Sequence, residues 1–200
     1  MKARPMLIVL ALWTAALAAA PPQPAAAQEF VVKSIAEKKV KELPAGPLYW
    51  RIETFLALAL AQAAETPTSL SAEVDGKAWL FTIGPKGGST SGGTTVAEIG
   101  PVPPVDAPEY LLRINRAGGP PGAKTAVHMH PGSESFYVLN GELTQKTPQG
   151  ARHIDAGEVM PGHGPGMPME VSSTGNNDLT VLVMFLLDAS KPFSSPAKFE

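Results

Sequence analysis

The chain has 200 residues, 44% of them hydrophobic and 17% charged, with 21 prolines, 19 glycines, no cysteine and a formal net charge of −2. Without cysteine there can be no disulfide framework and no thiolate metal site, so stability has to come from burial. The near-neutral, slightly acidic balance argues against nucleic acid or an anionic membrane as a partner.

Lys2 and Arg4 precede an apolar run from Met6 to Ala20, and a Pro/Ala-rich stretch ends at Ala25-Ala26-Ala27. A basic start, a short apolar run and a small-residue site read as a secretory signal peptide, residues 1–27, cut after Ala27. The mature protein is therefore expected to be periplasmic or secreted and free of the membrane, an uncleaved anchor being the alternative. Cleavage would take two of the 16 basic residues and no acid, leaving 14 against 18 and a net charge of −4. The one basic cluster, Lys38-Lys39-Val40-Lys41, is flanked by Glu37 and Glu42 and reads as a solvated face. A mature chain of this length fits a single domain that buries roughly 70% of its unfolded surface.

Residues 28–47 read as an extended arm closed by Pro44, Gly46 and Pro47, and Leu48 to Phe55 as a strand. The Leu/Ala alternation of Leu56 to Glu65 suits a strand, yet its residues are good helix formers, and a short helix is expected because alanines pack poorly on a strand face. Ser69–Val74 and Lys77–Ile83 bracket Asp75-Gly76, a hairpin signal. The glycine-rich stretch 84–93 lacks the Gly-Lys-Ser/Thr order of a phosphate cradle and reads as a flexible loop. Strands are expected at Thr95–Ile99 and Tyr110–Asn115, separated by a proline-rich connection.

Residues 122–142 hold the densest chemistry. His128 and His130, two of only four histidines, form an H-x-H pair. On a strand such positions share a face about 7 Å apart, close enough to converge on one ion. Pro131-Gly132-Ser133 then turns the chain, and Glu134, Phe136 and Val138 alternate with Ser135, Tyr137 and Leu139 up to Asn140-Gly141, a second hairpin signal. The turn would bring Glu134 beside the histidines, giving two imidazoles and one carboxylate. Strands are expected at Glu142–Thr147 and Ala151–Ile154 around the turn Pro148-Gln149-Gly150, and the apolar run Thr180–Leu187 reads as a strand covered on both faces. His153 reads as a surface histidine, and residues 191–200 as a polar tail. Many short strands divided by Gly, Pro and Asn turns argue for an all-β sandwich or barrel.

The spacing Gly122, His128, His130, Glu134, Gly141 resembles the first signature of the cupin family at all five of its fixed positions. The resemblance covers about residues 108–190 and implies a double-stranded β-helix, or jelly-roll, barrel with a metal bound inside. Residues 28–107 would add extra strands and one short helix to it. The family's second signature supplies one more histidine. Aligning Pro165-Gly166-Met167-Pro168 on its usual turn puts Met169 in that place. Three readings stay open: Met169 as core filling, its thioether as a soft fourth ligand favouring copper, or His163 swinging in from its glycine-rich loop. Period-two alternation puts Met167, Met169 and Val171 on one face.

The resemblance implies a bound transition metal: copper, iron, manganese, nickel or zinc. Its ligands would be His128, His130 and Glu134, and Glu134 would double as a general base. Walls built from Leu112, Ile114, Phe136, Val138, Met167 and Val171 suit a small, partly apolar organic molecule. The leading expectation is a dioxygenase- or isomerase-like metalloenzyme. A non-catalytic binding module and a metal-free structural barrel are the alternatives, and a homodimer is a further expectation of the resemblance.

Overall fold

The protein is described by a computed structural model covering residues 29–199, so the expected signal peptide lies outside the described residues. In chain order its elements are β1 (Val31–Val40), β2 (Tyr49–Phe55), α1 (Leu58–Ala63), β3 (Ser69–Val74), β4 (Lys77–Gly84), β5 (Thr94–Ile99) and β6 (Tyr110–Gly119). There follow β7 (His128–Met129), β8 (Gly132–Asn140), β9 (Glu142–Thr147), β10 (Gly150–Asp155), β11 (Val159–Pro161), β12 (Glu170–Ser173), β13 (Leu179–Asp188) and β14 (Ser195–Pro196). The fold is all-β and antiparallel: a jelly-roll barrel with extra N-terminal strands and one short helix.

The strands form layers. A central sheet runs β1-β6-β13-β8-β11, and a second sheet, β10-β9-β12, faces it across the barrel interior. A third sheet, β3-β4-β2-β5, is built wholly from the N-terminal half and covers the outer face of the central sheet. α1 in turn packs on the far side of that outer sheet, where Ala61 meets Phe55, Ala78 and Leu80. The arm expected at the N-terminus is thus partly structural, since β1 pairs with β6 along its length.

Alternation explains how two cores share one sheet. In β13, Leu182, Met184 and Leu186 point into the core under the outer sheet, with Trp50, Trp79 and Phe81. Val181, Val183, Phe185 and Leu187 point into the barrel. This is why the run is apolar throughout from Val181 to Leu187.

The same parity corrects one expectation. Leu112 and Ile114 of β6 face the outer sheet, so they are not barrel walls. The inward positions of β6 are Arg113, Asn115 and Ala117, and the apolar alternation belongs to the other core.

Asp75-Gly76 forms the expected hairpin, with φ of 51° and 73° as a two-residue primed turn requires. Asn140-Gly141 does not. β8 pairs with β13 and β11, whereas β9 pairs with β10 and β12, so the chain crosses between sheets there. Gly141 has φ 77°, and a Cβ on it would lie 2.7 Å from the carbonyl oxygen of Asp178. Asn140 Nδ2 donates to that same carbonyl at 2.8 Å. The dipeptide makes a packed corner in place of a hairpin.

Candidate functional site

His128 and His130 come from the short strand β7 and the residues after it. The backbone N–H of His128 donates to Met169 O at 2.9 Å, and that of Met169 donates to His128 O at 2.8 Å. His128 and Met169 are therefore directly opposed antiparallel partners, with side chains on one face. Pro131 turns the chain into β8, and His130 Nε2 comes to 3.7 Å from Glu134 Oε2. The two imidazole centroids are 5.0 Å apart with ring planes near perpendicular.

Both rings are held at Nδ1. His128 Nδ1 is 2.8 Å from Ala126 O, and His130 Nδ1 is 2.7 Å from Phe193 O. A carbonyl only accepts, so each Nδ1 carries a proton, and Nε2 is the nitrogen at which such a ring can offer a lone pair. That is the arrangement in which a backbone acceptor orients a histidine for metal binding.

Glu134 is buried at 3% exposure, with Phe185 as its cross-strand neighbour. Gln145 Nε2 donates to Glu134 Oε1 at 2.8 Å and lies 3.4 Å from Met169 Sδ, which ties the carboxyl to the thioether. Burial pushes the Glu134 carboxyl up to about 8, against the Gln145 hydrogen bond that favours its ionised form. Burial likewise lowers His130 to about 4. The Phe193 carbonyl opposes that shift, while the charges of His128 and Arg113 add to it.

The donor chemistry, two imidazole nitrogens and a carboxylate, fits a divalent or copper ion. Two donors each about 2.1 Å from one ion lie some 3.0–3.4 Å apart, so the His130–Glu134 pair is slightly open. Among the described residues, no three His, Asp or Glu side chains form a group that could hold an ion as placed. The structure thus assembles the pair His130–Glu134, with His128 alongside.

These groups edge a cavity of about 340 Å³ whose lining includes Asn115, Thr125, Phe136, Val171, Phe185 and Phe193. Of the expected walls, Phe136 and Val171 line it, and Val138 belongs to the same barrel core without lining it. Leu112 and Ile114 lie on the opposite face of their strand. Met167 is half-buried in the loop before β12 and does not line the cavity either. Strand pairing begins only at Met169, so the alternation that places Met169 and Val171 does not carry back to Met167. His163 lies in that same loop and does not line the cavity. Burial, then the charge of Arg152, holds it below the ordinary imidazole range. His153 is a surface residue bonded to Thr144 Oγ1 at 2.6 Å.

Sequence reasoning missed Gln145, Phe193 and Asn115. Gln145 carried a signal, because it occupies an inward position between Leu143 and Thr147 on β9. Phe193 carried little. It stands in a polar, proline-containing segment, yet β14 pairs with β7 and brings its ring to 4.9 Å from His130 and 5.0 Å from Phe185.

No family model matches the chain, and no curated protein matches it. Among solved structures it is similar to a cupin-like protein from Thermotoga maritima at 18% identity and TM-score 0.40. That alignment covers 44% of this chain and 65% of the other, less than two thirds of its length. It is similar to an uncharacterised conserved protein with a double-stranded β-helix domain from Klebsiella pneumoniae at 20% identity and TM-score 0.38, covering 44% of this chain and 75% of that one. An oxalate oxidase in complex with the substrate analogue glycolate aligns at 22% identity and TM-score 0.36, over 42% of this chain and 45% of the other.

Proposed function

We propose that this is an exported jelly-roll protein that binds one transition-metal ion through His128, His130 and Glu134 and takes a small, partly apolar organic molecule beside it. The observation that supports this reading is the pair of imidazoles, each with Nδ1–H committed to a backbone carbonyl and Nε2 free, next to a buried carboxyl at an apolar cavity. A bound ion would supply Lewis-acid polarisation of a substrate oxygen or a redox centre. Copper, iron, manganese, nickel and zinc all accept such donors.

The chain's own residues do the rest. Glu134 keeps its proton near neutral pH in the metal-free site and releases it when a cation or substrate pays the desolvation cost, which suits it to move a proton at Oε2. Phe136, Val171 and Phe185 give the space beside these groups an apolar lining. The expected outcome is that purified protein holds about one equivalent of metal by elemental analysis and that His130→Ala holds none, with an unchanged far-UV spectrum. Retained metal in that variant refutes the site.

The rival reading is a binding module without turnover. It is favoured by Met169, whose buried thioether lies opposite His128, where the second cupin signature would supply a histidine. Oxygen uptake and product analysis with phenolic or diketone substrates separate the two. Metal-loaded protein that binds such molecules and leaves them unchanged is a carrier.

A further inference from the structure

Asn115 is the polar residue of the cavity that the ion site leaves unused. It is 1% exposed, points into the barrel from β6, and lines the cavity. Arg113 Nε donates to its Oδ1 at 2.9 Å. A guanidinium only donates, so this bond fixes which end of the amide is which and leaves Nδ2 turned from Arg113. Among the described residues Nδ2 donates no hydrogen bond, and it is not sealed off but opens onto the cavity that Asn115 lines. A donor that opens onto an internal cavity is satisfied by whatever fills that cavity, water or ligand. Thr125 lines the same space. Its oxygen already accepts from Val171 N at 3.0 Å, so its own proton can be donated inward.

The register gives the span. Asn115 pairs with Val183, which pairs with Phe136, and Glu134 lies two residues from Phe136 on the same face of β8. Two strand steps and two residues separate the Cα atoms of Asn115 and Glu134 by about 12 Å. Between them lie Val183, Phe136 and Phe185, all apolar. Both side chains rise from the same face of the sheet, so their ends stay about as far apart as their Cα atoms, a span that suits one ring with a polar substituent at each end.

We propose that Asn115 is the specificity-determining residue of the cavity. It selects an elongated, largely apolar molecule whose far end carries a carbonyl-type hydrogen-bond acceptor, while the near end meets His128, His130 and Glu134. The near-end assignment rests on the metal reading above; the Asn115 assignment does not. A site that places a buried donor opposite a substrate acceptor discriminates against the analogue lacking it, because the donor is then stranded.

The test uses two probes of one shape, 4-acetylbenzoate and 4-isopropenylbenzoate, which differ in a ketone oxygen against a methylene. Their binding is measured by calorimetry on the full chain, metal-free and loaded with Zn²⁺. Wild type is expected to bind the ketone about five- to tenfold more tightly. Asn115→Leu and Asn115→Asp should both lose that preference, the second while keeping the Arg113 partner and hence the fold. Equal binding of the two probes by wild type, an undiminished preference in Asn115→Asp, or no binding of either probe overturns the proposal. Metal content of wild type and His130→Ala is read separately. A ketone preference in protein that takes up no metal leaves Asn115 assigned and sinks the ion site alone.

Discussion

His130 and Phe193 lie 63 residues apart in the chain, yet the backbone carbonyl of Phe193 fixes the tautomer of His130 across 2.7 Å. The Phe193 ring packs at the same time on His130 and Phe185 and lies under the Arg113 guanidinium at 4.3 Å. Residues 192–196 are therefore a wall of the site, held by the short β14–β7 ladder and by Ala197 N donating to Val127 O at 3.1 Å.

Deleting residues 192–200 should weaken metal binding about 10- to 100-fold, the usual cost of losing the group that orients a ligating histidine. Phe193→Ala keeps the carbonyl and should cost stability more than affinity. Metal titration and thermal melts of the two variants check the split.

Gln145→Leu removes the one hydrogen bond that favours ionised Glu134. The carboxyl should then be harder to ionise and metal affinity at neutral pH about tenfold lower or less. Affinity unchanged across pH 6–9 would show that Glu134 is not a ligand.

Stability of the metal-free protein should depend on pH in a particular sense. Glu134 holds its proton to about 8 when folded against 4.5 otherwise, so each rise in pH between those values favours the unfolded chain. His130 stays neutral down to about 4 when folded against 6.5 otherwise, so stability is lost as pH falls from 6.5 toward 4. The two slopes oppose each other between 4.5 and 6.5. Above that range Glu134 acts alone, at about 1.4 kcal/mol per pH unit or about 2 kcal/mol by pH 8. Melts in EDTA at pH 6.5 and 8 measure this. With saturating Zn²⁺ the trend should reverse, because binding requires the ionised carboxylate.

Ile114→Val should cost about 0.5–1.5 kcal/mol and leave metal and ligand binding untouched, since its side chain fills the core under the outer sheet. Denaturant melts beside metal titration check it. Altered ligand affinity would return Ile114 to the cavity wall.

Gly162→Ala places a Cβ hard against the carbonyl oxygen of Glu134. Either β8 or the 162–169 loop must move, so both melting temperature and metal affinity should fall, whereas Gly157→Ala, with open space around it but a φ of 88°, should cost some stability and leave metal affinity unchanged.

What could be read from the sequence was local. Asp75-Gly76 encodes its own turn, the two-sided burial of β13 follows from an unbroken apolar run, and the spacing from Gly122 to Gly141 brings His130 and Glu134 together. Features set by distant segments were not legible. Asn140-Gly141 looks the same whether it closes a hairpin or turns a corner, and Asp178 decides which. Leu112 and Ile114 alternate as barrel walls would, and only the outer sheet, built from residues with no motif, shows where they point. Phe193 reaches His130 through a two-residue ladder that no periodicity announces.

The division of β13 between two interiors has a consequence for how this chain can vary. Removing or inserting one residue within 181–187 would exchange the side chains of the two cores, sending Phe185 toward Trp79 and Met184 toward Glu134. The glycine-rich segment 84–93 bridges strands of the outer sheet alone and can change length without touching that alternation. Length variation among related chains should therefore collect in 84–93 and be absent from 181–187.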